Sequence, residues 1–162
     1  MYICKVKVTT FFVYMAENRP KLNFPTINLA ARERDGKTMV WDAIRKMYVV
    51  LTPEEWVRRH AVEFLISHCN IPRINITEEY IVRLNSMTQR ADIVAFDNDA
   101  RPFILVECKA PEVKIDQSVI DQAIRYNHIV KARYIILTNG LKHYCIELTD
   151  EGYIQRQSFP TL

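Results

Sequence analysis

Glycine is scarce in this chain: Gly36, Gly140 and Gly152 are the three in 162 residues. So far apart, they build no GxxxxGK[ST] loop to cradle nucleotide phosphates, and these residues carry no ATP-driven motor of that type. Long apolar runs are also missing. No stretch approaches the roughly 20 residues that a membrane span needs. The apolar run Phe11 to Ala16 is short, only Lys5 and Lys7 precede it, and no small-residue cleavage site follows, which argues against a signal peptide. Met15 is an alternative start that would make the first residues an extension. Cys4, Cys69, Cys108 and Cys145 form no CxxC or other close pair, so neither a zinc site nor a disulfide framework is expected. Isolated thiols fit a reducing compartment, and the cytoplasm is the expected location. His60, His68, His128 and His143 are scattered and suggest no histidine-based metal site. Internal repeats and low-complexity tracts are absent.

What is present is the composition of an ordinary globular domain, 49% apolar and 25% charged. The net charge of +3 is compatible with a nucleic-acid partner without demanding one. The expected organisation is an irregular N-terminal arm (1–40), one domain (41–150) and a C-terminal tail (151–162), with a short strand over Tyr48 to Leu51. Thr52-Pro-Glu-Glu55 has a hydroxyl at the N-cap, proline at the first helical position and glutamate at N3, which predicts a helix from Pro53 to His68. Its apolar stripe is Trp56, Val57, Ala61, Phe64 and Leu65. Strands are expected over Ile74 to Leu84, Ala91 to Phe96 and Phe103 to Lys109. A second helix is expected over Ser118 to Lys131, capped by Ser118 with Asp121, and then two strands, Tyr134 to Thr138 and Leu141 to Leu148, joined at Asn139-Gly140. The order α-β-β-β-α-β-β predicts an α/β fold with a mixed central sheet flanked by helices.

The turn-rich segment Asp97-Asn-Asp-Ala-Arg-Pro102 predicts a hairpin. If the loop is symmetric, Phe96 faces Phe103 and Asp92 faces Glu107. Opposed residues share a side of the sheet, as do residues two apart, so Asp92, Glu107 and Lys109 project together. Two opposed carboxylates repel, and a divalent cation reverses that sign because hard cations favour clustered oxygens. Magnesium fits best, with manganese as a substitute and the Cys108 backbone carbonyl as an added ligand. Lys109 would orient the attacking water or neutralise charge on a phosphate. The plainer alternative is a solvated acidic-basic face, against which stands the apolar run Phe103-Ile-Leu-Val106 leading into Glu107.

Arg90-Ala-Asp-Ile-Val-Ala-Phe96, Val106-Glu-Cys-Lys-Ala-Pro111 and Asp121-Gln-Ala-Ile-Arg-Tyr126 together resemble the N-terminal nuclease domain of type I restriction enzyme R subunits, in the PD-(D/E)XK nuclease superfamily. The resemblance runs from about Val40 to Leu148. It implies a restriction-endonuclease-like αβββαβ core and a metal-dependent endonuclease acting on DNA. Asp92 and Glu107 would be metal ligands and Lys109 the catalytic lysine. Gln122 and Tyr126 would match a Gln-x-x-x-Tyr motif; four apart, they share a helix face. An acid on the first core helix is often part of such sites, and Glu55 is the first candidate, ahead of Glu54 and Glu63. Ala91 stands where the superfamily's named proline would be. Arg58, Arg59, Arg90, Lys114, Arg125, Lys131 and Arg133 are candidate phosphate contacts. Lacking a motor, the chain reads as a stand-alone nuclease domain or one working with separate restriction-system subunits, and a homodimer would serve a double-strand break. The competing reading is a non-catalytic DNA-binding or assembly module that keeps the nuclease fold.

Overall fold

The computed structural model describes residues 12–14, 19–84 and 86–162. Strands β1 (Phe12–Tyr14), β2 (Leu29–Arg34), β3 (Lys37–Asp42) and β4 (Met47–Val50) form an antiparallel sheet in sequence order. Helix α1 (Pro53–Ser67) follows, then β5 (Ile76–Leu84), β6 (Met87–Phe96) and β7 (Pro102–Cys108), helix α2 (Gln117–Val130), and β8 (Tyr134–Thr138), β9 (His143–Thr149) and β10 (Gly152–Arg156). The larger sheet has the order β10-β9-β8-β7-β6-β5; β7 and β8 are parallel and every other pair is antiparallel. Its single parallel pair is bridged by α2, the connection such a pair requires. The core order α-β-β-β-α-β-β and the mixed sheet agree with the expected fold. Among the described residues, no helix is long and apolar enough to cross a membrane.

Local chemistry explains the helix ends. The Thr52 side chain accepts from the Glu55 N–H at 3.0 Å, with proline in the first turn as expected. At α2 the cap differs from expectation. Asp116, rather than Ser118, is the N-cap, and its carboxylate accepts the Ser118 and Val119 N–H groups at 3.0 and 3.4 Å. A charged acceptor makes the stronger cap, which moves the helix start forward by one residue.

Two other differences concern the chain ends. The arm expected to be irregular over 1–40 contains β2 and most of β3. Asp35 and Gly36, with φ of 52° and 71°, make the tight turn between them, and Leu29, Ala31 and Val40 alternate inward. The tail expected over 151–162 contains β10, paired along its length with β9. The expectations on a signal peptide, on a start at Met15 and on Cys4 fall outside the described residues, save the short strand β1.

Two apolar layers sandwich the larger sheet. On one face Val57, Ala61 and Leu65 of α1 pack with Ile93, Ala95, Ile104, Val106 and Ile136. On the other, Val119, Ala123, Tyr126 and Val130 of α2 pack with Val94, Leu105, Ile135 and Leu137. The near-continuous burial of β7 and β8 follows from this double cover.

Candidate active site

The β6–β7 ladder carries the pairs Ile93↔Val106, Val94↔Leu105 and Ala95↔Ile104, the register that would set Asp92 opposite Glu107. The expected Phe96–Phe103 pair is displaced: a bulge between Ala95 and Phe96 sets Phe96 against Pro102. Backbone pairing between these two strands ends at Ile93 and Val106, although β6 keeps pairing with β5 as far as Met87 and β7 with β8 as far as Cys108. The strands therefore part at Asp92 and Glu107. Side chains take over the hydrogen bonding there: the Cys108 N–H donates to Asp92 Oδ2 at 2.7 Å, and the Asp92 N–H makes a long 3.4 Å contact to Glu107 Oε1.

A second local feature brings α1 to this point. Along β5, Ile76 packs on the α1 side and Glu78 pairs with Arg59 of α1, whereas Val82 packs on the α2 side. Ile93 and Ala95 of β6 lie on the α1 side, and Ala91 lies on the α2 side. Residues an even number apart should share a face. The β5–β6 hairpin thus rolls over between these positions, where Glu79 has a φ of 53°. Glu79 and Asp92 sit at the roll, and both reach Arg58 of α1: Nη1 lies 2.5 Å from Glu79 Oε1 and Nη2 lies 2.6 Å from Asp92 Oδ1. Glu54 and Glu55 each lie 3.3 Å from the same guanidinium.

From the α2 side, Lys109 Nζ meets Gln122 Oε1 at 3.5 Å, and Gln122 Nε2 donates to the Tyr126 hydroxyl at 2.9 Å. Lys109, Gln122 and Tyr126 form one polar chain. The site is thus assembled from the parted ends of β6 and β7, from α1 through Glu54 and Arg58, and from α2 through Gln122 and Tyr126.

Its electrostatics are those of an acid-rich, dry place. Burial and then the neighbouring Asp92 charge push Glu107 up to about 8. Burial raises Asp92 as well, although Arg58, the Cys108 N–H and Lys109 pull the other way. Glu54 is raised by burial and by Asp92. Burial works against the charge of Arg58, yet Asp92, Glu55 and Glu79 hold it firmly cationic. Glu107 is almost fully buried, and among the described residues its hydrogen bonding is confined to the long Asp92 contact. A buried carboxylate so poorly satisfied, beside a second carboxylate, fits the oxygen donor set that a hard divalent cation prefers.

Glu55, the first helix acid expected at the site, reaches Arg58 with Oε2 and a neighbouring network with Oε1. Its carboxylate lies 3.0 Å from Arg45 and 2.8 Å from Arg59. There Asp42, Glu55 and Glu78 bring ligand-type oxygens within 4.8 Å of one another. Arg59 pairs with all three and Arg45 with Asp42 and Glu55, so cations of the chain already fill that cluster. It is Glu54 whose carboxyl feels the charges of Asp92 and Lys109, while Glu63 pairs with Arg73 at 3.5 Å on the exposed side of α1. Arg58 and Arg59, expected as phosphate contacts, are buried in these networks. Arg133 is exposed but tied to Glu147. Arg90, Lys114, Arg125 and Lys131 are exposed. Sequence reasoning passed over Glu79, whose one signal was a polar interruption of the β5 pattern.

The family model for the type I restriction enzyme R protein N terminus (HSDR_N) matches residues 53–160. No curated protein matches the chain closely enough to count as a relative. Among solved structures, a fragment assigned as an HsdR subunit of a type I restriction enzyme from Vibrio vulnificus YJ016 is similar, with 22% identity and a TM-score of 0.52. The likeness covers 68% of this chain and 24% of that one, so this chain spans less than a quarter of that fragment's length, and at this identity the likeness speaks for the fold. The matched residues hold both helices, the whole six-stranded sheet and the Asp92–Glu107–Lys109 site, and the chain belongs to the family of type I restriction enzyme R protein N termini.

Proposed function

We propose that this domain is a magnesium-dependent endonuclease of the PD-(D/E)XK kind that hydrolyses DNA phosphodiester bonds, with manganese as a substitute ion. The observation that carries the reading is the parting of β6 and β7 at Asp92 and Glu107, beside a lysine held by Gln122. Asp92 and Glu107 would hold the ion, and the Cys108 carbonyl is the natural third protein ligand. When bound, the ion supplies a water of lowered pKa and a Lewis-acid contact to the phosphate. Cys108 fixes the Asp92 carboxylate through its N–H. Lys109 places a cation where charge grows on the attacked phosphate, and Gln122, braced by Tyr126, orients that ammonium. Exposed Arg90, Lys114, Arg125 and Lys131 are available to DNA phosphates. Family membership supports DNA as substrate and separate restriction-system subunits as partners.

The test is cleavage of supercoiled and linear DNA with magnesium, manganese or EDTA. Asp92→Ala, Glu107→Ala and Lys109→Ala should each lower the rate by about 10²- to 10⁴-fold, the usual cost of removing a group that acts in the reaction. Unchanged cleavage in all three variants would sink the site. Metal and DNA binding without cleavage by the unaltered chain would favour the non-catalytic module.

A further inference from the structure

Arg58 occupies Asp92 Oδ1, one of the two oxygens this carboxylate could offer a metal ion. Its side chain is 7% exposed, and its guanidinium touches Asp92 Oδ1, Glu79, Glu54 and Glu55. The other Asp92 oxygen is taken by the Cys108 N–H. A magnesium ion bonds oxygen at about 2.0–2.1 Å, so an ion and a guanidinium on one oxygen would repel each other at short range. Arginine cannot escape this by losing its proton. It can escape by turning, because three further carboxylates surround it. Resting on the metal-site reading above, we propose that Arg58 is a resident counter-cation of the site, which holds Asp92 while the site is metal-free and yields it on ion binding, retaining Glu79 and Glu55 as partners. The acid cluster then folds without a metal, and the ion must compete with a cation of the chain to enter.

A merely structural arginine would weaken metal binding when lost, through disorder. A competing arginine does the opposite. Manganese affinity, read by titration calorimetry, should tighten about tenfold in Arg58→Gln, within the usual range of coupling between two ligands. Arg58→Lys, a point charge that cannot bridge Asp92 and Glu79 together, should fall between Arg58→Gln and the unaltered chain. In the unaltered chain, magnesium should move the NMR signals of the Arg58 guanidinium, a readout independent of whether either variant folds. Wild-type or weaker affinity in a folded Arg58 variant overturns the proposal, as do Arg58 signals that stay fixed while the ion binds. Asp92→Asn separates the two readings. If it binds manganese as the unaltered chain does, the metal site itself fails. If binding is lost in Asp92→Asn yet Arg58 does not respond, the counter-cation idea alone fails.

Discussion

Glu107 illustrates how one residue links burial to chemistry. Its pKa near 8 means that at neutral pH the metal-free carboxyl keeps its proton. An ion can bind there only by displacing it, so binding should release a proton. Calorimetry of magnesium binding at pH 7 in buffers of different ionisation heat should detect that release. At pH 9 it should vanish, and Glu107→Gln should abolish it. The sign for stability follows from the same shift. Between the ordinary glutamate value of 4.5 and about 8, the folded state holds a proton that the unfolded state has lost, so metal-free stability falls as pH rises through that window. Melting temperatures that rise across it would contradict the assignment. At this scale strand parity, a short-range rule, grouped Asp92, Glu107 and Lys109 in one candidate site, whereas Gln122 and Tyr126 joined them through the family resemblance. The sequence ranked Glu55 ahead of Glu54, and no local pattern tells the two apart. Each precedes an arginine by four residues, Glu54 with Arg58 and Glu55 with Arg59. Which stripe of α1 turns toward Asp92 depends on how the helix docks.

At the level of elements, α1 carries Glu54 and Arg58 of the candidate site, so its N-terminal turn bears on where they stand. Thr52→Ala removes the acceptor for the Glu55 N–H and should lower stability by about 1 kcal/mol. Urea unfolding measures this, and Thr52→Ser should restore most of it. A loss indistinguishable from zero would mean that the helix start is held by packing alone. The strands give the less obvious lesson. The pairing around Ile93 and Val106 was legible from turn composition and apolar alternation. The roll of the β5–β6 hairpin at Glu79 and Asp92 was not, since period-two patterning assumes one uninterrupted face. Asp35-Gly36 was a readable hairpin signal, hidden by a segment rich in polar residues.

On the scale of the whole molecule, the small sheet is joined to the nuclease-like core by buried ions. Asp42 of β3, fully buried, accepts the Ile44 and Arg45 N–H groups at 2.9 Å and pairs with Arg59 of α1 at 2.9 Å; Arg59 also meets Glu78 of β5. Removing one member of such a set leaves a charge buried without its partner. Asp42→Ala should therefore cost about 3–5 kcal/mol, whereas Asp42→Asn, which keeps a side-chain oxygen for the Ile44 and Arg45 N–H groups, should cost less. Denaturant unfolding decides it, and a cost under about 1 kcal/mol for Asp42→Ala would show that the network does not couple the sheet to the core.

The amino-acid sequence by itself determined the element order of the core and the β6–β7 pairing near Asp92 and Glu107, and it set the expectation that these two acids and Lys109 share a face. All of these rest on caps, turns and periodicities that act within a few residues or across one hairpin. Only the tertiary structure decided that the strands part where the acids stand, that α1 brings Arg58 and Glu54 toward them, and that Glu55 links Arg58 to the Arg59 ion cluster. Those outcomes depend on charges brought together from distant parts of the chain, whose balance of burial and pairing no local pattern records.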